Sequence, residues 1–90
     1  MAASENYKNL INDIIAKQTI ILGSDIVLLK AKNVSGLNIS SEGKVESISG
    51  DPQKVLENLI AEYMSLSGQI VKSILNPILA KYPEIKVTIN

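Results

Sequence analysis

From Pro52 to Tyr82 apolar residues recur in adjacent pairs every three or four positions, and no other feature constrains the fold as much. Val55, Leu56, Leu59, Ile60, Tyr63, Met64, Leu66, Ile70, Val71, Ile74, Leu75, Ile78 and Leu79 carry the pattern. That spacing predicts one amphipathic helix whose apolar face is broad enough to be buried from more than one side. Its start is written in Gly50-Asp51-Pro52. Asp51 caps the first turn, and Pro52 takes a position where a missing N–H costs nothing. Pro77 is expected to kink the helix and Pro83 to stop it.

Such a helix is long for its chain. Straight, it would measure on the order of 46 Å. A compact domain of 90 residues has a diameter of roughly 31 Å. Either the helix folds back at Gly68 or Pro77, or its apolar face outruns its own domain. An uncovered apolar face usually marks a partner surface, and two-fold pairing is the commonest way to cover one. The expectation is therefore a homodimer built around this helix, with an unidentified protein partner as a further option. Ala61, Ser65 and Gly68 form a ridge of small residues suited to close helix approach, and Ile70 and Ile74 continue the apolar face.

Upstream, Tyr7, Leu10, Ile11, Ile14, Ile15, Gln18, Ile21 and Leu22 keep helical spacing behind Ser4, a candidate N-cap. Gly23 ends that helix, and Ser24 or Asp25 can cap a second one running to about Lys32 or Asn33. A single helix kinked at Gly23 is the competing reading. The period then changes to two. Leu37–Ser40 and Val45–Ser49 flank Ser41-Glu42-Gly43, which fits a three-residue hairpin loop with glycine in the left-handed region and Ile39 opposite Val45. At the end of the chain, Glu84–Asn90 alternates strictly, so Ile85, Val87 and Ile89 would share one face of a third strand. Its edge offers a second route to pairing between subunits. The reading is one α+β domain over residues 1–90, with no linker. Its order is two helices, a β-hairpin, a long kinked helix and a C-terminal strand completing a small antiparallel sheet.

Composition bears mainly on chemistry. Ile, Val and Leu supply 30 of the residues, with no Phe or Trp, so the core must be aliphatic. No cysteine removes disulfides, thiolate catalysis and Cys-ligated metals, and fits a cytoplasmic setting. No histidine removes the usual proton shuttle near neutral pH. The net charge is zero and all nine basic residues are lysines. Without arginine or a basic surplus, nucleic-acid binding is not expected. No secretion signal, lipid anchor or membrane span is read, and the Asn33 and Asn38 sequons are taken as chance matches.

Glu42, Glu46 and Asp51 fit no calcium loop and read as solvated surface. Lys30 and Lys72 read as lysines snorkelling at an apolar edge rather than as nucleophiles. No catalytic, cofactor-binding or metal-binding residue is assigned. The expected function is thus a non-enzymatic interaction or regulatory module. Two alternatives remain open. One is a winged-helix-like DNA-binding regulator, with Lys30 and Lys32 on its second helix. The other is a small-molecule sensor with a pocket beside Ala61, Ser65 and Gly68.

Overall fold

A computed structural model describes residues 2–85, the side chains of residues 2–4 and of Ser67 excepted. The order is α1 (Ala2–Leu22), α2 (Ser24–Lys32), β1 (Leu37–Ile39), β2 (Val45–Ile48) and α3 (Pro52–Leu79). The architecture is mixed α+β, with β1 and β2 forming a two-stranded antiparallel sheet.

The helical break at Gly23 is real. Gly23 sits at φ 94°, outside helical space, and is itself the N-cap of α2. Neither Ser24 nor Asp25 caps, since both lie inside α2 and no side chain makes a cap bond there. Ser4 does not cap α1 either, because the helix already includes Ala2. Asp51 does cap α3: its carboxylate accepts from the Gln53 N–H at 3.0 Å.

The hairpin follows its sequence closely. Gly43 N–H donates to Ser40 O at 3.0 Å, and Ser40 N–H donates to Lys44 O at 2.8 Å, enclosing Ser41-Glu42-Gly43. Gly43 is at φ 85°, where any other residue would be strained. Ile39 pairs with Val45. The register then slips by one, since Asn38 pairs with Ser47 and Leu37 with Ile48. This bulge follows from the spacing of Val45 and Ile48. They are three residues apart, so strict alternation would send them to opposite faces; one extra residue turns both inward and leaves Glu46 and Ser47 exposed. Asn12 of α1 fixes the sheet to the helices by accepting the Val45 N–H at 2.8 Å.

The last described element is a helix rather than a strand. After α3 the chain turns, with Lys81 N–H bonding Ile78 O and Ile85 N–H bonding Tyr82 O. That turn folds Ile85 into the core, 5% exposed, so Glu84 and Ile85 do not begin an extended segment. The rest of the expected third strand, with Val87 and Ile89, lies outside the described residues.

α3 does not overshoot its domain. A straight helix of 28 residues would span about 42 Å. The molecule measures only 32 × 28 × 18 Å. The start of α3 and the turn five residues beyond its end both meet the first turns of α1: Tyr7 Oη donates to Gln53 Oε1, and Asn6 Nδ2 donates to Glu84 Oε1. α3 therefore bends while remaining helical throughout. The length argument for a protruding helix falls away, and what is left of the case for pairing must rest on surface.

Candidate functional site

The core is a single aliphatic cluster in which α1 contributes Leu10, Ile11, Ile14 and Ile15. α3 contributes two separate sets, Val55, Leu56, Leu59, Ile60 and Tyr63, then Val71, Leu75 and Ile78. No described side chain between Met64 and Ile70 is buried. Leu59 and Tyr63 are sealed, yet the next residues along the same face, Leu66 and Ile70, are exposed. Ile74 lies one turn further on. There it shares a cleft of about 410 Å³ with Lys17 and Ile21 of α1 and with Pro77, Ile78 and Lys81. Ile21 is 51% exposed and its neighbour Ile20 77%. Leu66 and Ile70 stand exposed on α3 and Ile20 lines a different cleft, while Ile21 and Ile74 share this apolar cleft at the C-terminal end of α1. Two lysines stand beside it.

The expected interface residues divide accordingly. Ile70 is exposed on α3, and Ile74, partly buried, lines the cleft with Ile21. Ala61 and Ser65 are exposed, but Ser65 spends its hydroxyl on Glu62 O at 2.6 Å. A Cβ on Gly68 would meet only the Met64 side chain, at 3.6 Å, so among the described residues no other element comes close to Gly68. Ile85 is sealed in the core of its own chain and cannot offer a free strand edge.

A second cleft, about 490 Å³, opens between α1, the start of α2 and the hairpin loop. Its floor includes Ile15, Ala16 and Leu28, and its rim Asp13, Thr19, Glu42 and Lys44. Asp13 accepts from Tyr82 Oη at 2.8 Å and lies 3.9 Å from Lys81 Nζ. Loss of solvent raises the Tyr82 phenol above its ordinary pKa, and the bond to Asp13 and the charges of Asp13 and Glu84 add to the shift. Neither cleft is lined by Ala61, Ser65 or Gly68, where a sensor pocket was expected. Lys30 lies 3.8 Å from Glu62, and the Glu42, Glu46 and Asp51 carboxylates do not converge: among the described residues no group of three or more acidic side chains could hold a metal.

Two polar groups sit fully inside the core. Tyr63 is 0% exposed; its hydroxyl donates to Val27 O at 3.1 Å, and burial pushes its phenol well above the usual range. Gln18 is also 0% exposed, but neither Oε1 nor Nε2 has a hydrogen-bond partner. An orphaned amide of this kind is uncommon, because each unsatisfied group costs about 1–3 kcal/mol. The signal was in the sequence: Gln18 occupies an apolar position of the α1 repeat, where a polar residue has to be carried into the core.

No family model, curated protein or solved structure matches the chain. Among the described residues no helix is long and apolar enough to cross a membrane.

Proposed function

We propose that this protein is a non-enzymatic interaction module of the cytoplasm that acts as a homodimer, with a second copy covering the exposed apolar face of α3 at Leu66 and Ile70. One observation carries the reading. The face of α3 that is sealed at Leu59 and Tyr63 continues without cover at Leu66 and Ile70. Single exposed apolar residues mean little, whereas successive exposed residues along one apolar helix face are what partner surfaces look like. The zero net charge and the missing arginines favour a protein partner over nucleic acid. The absence of cysteine is compatible with a reducing compartment.

Sedimentation at micromolar concentration tests the reading, with a dimer expected. Ile70→Asp should yield a folded monomer, because the side chain is 38% exposed and its loss leaves the core intact. A wild-type chain that remains monomeric at a hundred micromolar would overturn the proposal.

A further inference from the structure

The cleft at the C-terminal end of α1 is apolar inside and positively charged. Ile21, Ile74, Pro77 and Ile78 supply its apolar lining, and Lys17 and Lys81 its charge. Ile78 is buried, Ile74 is half-buried and Ile21 is 51% exposed, so apolar surface runs from the edge of the core out to solvent. The volume of about 410 Å³ lies within the roughly 300–1,000 Å³ of clefts that take small molecules. The chain has no net charge, so a lining with two lysines and no acidic residue is a local excess. The cleft beside the hairpin differs, since Asp13 and Glu42 line it with Lys44. Lys81 lies 3.9 Å from Asp13, whose carboxylate also accepts from Tyr82 Oη. Lys17 makes no ion pair among the described residues. Two ammonium groups against one shared carboxylate leave an excess of one positive charge.

We propose that this cleft binds an amphipathic monoanion, a free medium-chain fatty acid. The alkyl chain lies on Ile21, Ile74, Pro77 and Ile78, and the carboxylate stays at the rim with Lys17 and Lys81. Lysine suits both tasks: its stem packs along apolar surface while its head remains in water and follows the anion. A single carboxylate matches the excess charge, whereas a phosphate monoester carries nearly two negative charges and exceeds it. Leu66 and Ile70 do not line this cleft, so the site is independent of the homodimer.

Titration of octanoate into the isotope-labelled protein, followed by amide shifts, tests the site. The expected result is saturable shifts centred on Lys17, Ile21, Ile74, Ile78 and Lys81, half-complete at or below about 1 mM. Octylammonium keeps the tail and reverses the charge, and should bind at least about tenfold more weakly. Lys17 and Lys81 are exposed, so replacing both by Gln leaves the core intact. The double variant should bind octanoate about tenfold more weakly and lose its preference over octylammonium. Equal binding of the two ligands by the unmodified chain, shifts scattered over the surface, or no saturation by about 10 mM overturns the proposal. Capture on anionic phospholipid vesicles without saturable octanoate shifts also overturns it, and assigns the cleft to a membrane surface instead.

Discussion

The two halves of α3 have similar composition and opposite fates. Over the first, Val55, Leu56, Leu59, Ile60 and Tyr63 are all buried, and the one polar atom they carry inside, the Tyr63 hydroxyl, is bonded to Val27 O. Over the second, Val71, Leu75 and Ile78 are buried while Leu66 and Ile70 stay in water. The sequence pattern is continuous across the boundary; what changes is the supply of neighbours. The first half reaches α2, with Tyr63 bonded to Val27 O, whereas the end of the second half shares a cleft with Lys17 and Ile21 of α1. Apolar periodicity therefore reports which residues seek cover, not which ones find it.

The strongest way to break this contrast is to truncate one residue in each half. Leu59→Ala should cost about 3 kcal/mol in denaturant unfolding, because Leu59 is sealed and its removal leaves a cavity. Ile70→Ala should cost less than about 0.5 kcal/mol in the monomer, as expected at an exposed site, and should show its effect in sedimentation instead. Equal losses at the two positions would mean that the second half is as well covered as the first.

The same contrast extends to polar groups, since Tyr63 is satisfied and Gln18 is not. Gln18→Met keeps an unbranched side chain of similar length and removes two orphaned groups. It should stabilise the fold by about 2 kcal/mol. A destabilising result would show that the amide finds partners in solution.

A smaller effect tests the hairpin, which belongs to the well-covered end. Gly43 is at φ 85°, and a Cβ there would lie 3.0 Å from Leu28 Cδ2 of α2. Gly43→Ala should cost about 1–2 kcal/mol from backbone strain, with Leu28 shifting to make room. An unchanged unfolding midpoint would mean that the loop adopts another turn.

Legibility in the sequence tracked how local each cause was. The Asp51-Pro52 cap, the break at Gly23 and the Gly43 loop with Ile39 opposite Val45 depend on a few neighbouring residues, and all three stand. The bulge at Glu46 was equally local and could have been read from the three-residue spacing of Val45 and Ile48. The bend of α3 was raised by its length but left open against a protruding straight helix, because a 28-residue helix carries the same repeat in either case and the choice belongs to packing. The burial of Ile85 failed for a related reason. Alternation over Glu84–Asn90 is compatible with a strand, but a turn at Tyr82 that docks Ile85 on the core overrides it. Of the exposed apolar residues, Ile70 was anticipated at an interface, whereas Ile20 and Ile21 were not.

The smallest expected effect compares the tyrosines attached to the two halves. Tyr63→Phe deletes the hydroxyl bonded to Val27 O and should cost about 1 kcal/mol near neutral pH. Tyr82→Phe deletes a bond to the half-buried Asp13, at a site open to solvent, and should cost less. Alkaline pH separates the two further. Burial raises the Tyr63 phenol above its unfolded value of about 10. The unfolded chain therefore releases this proton first, so the stabilising contribution is complete below about pH 10 and is lost as pH rises beyond it. Phenylalanine has no proton to release. The stability gap between wild type and Tyr63→Phe should thus narrow from pH 7 to pH values above about 10, as measured by urea unfolding at several alkaline points. The Tyr82 shift has the same sign, so its gap should narrow in the same window. A Tyr63 gap that stays constant through this range would mean that the phenol is accessible to water in the folded chain, and the first half of α3 would then be no better sealed than the second.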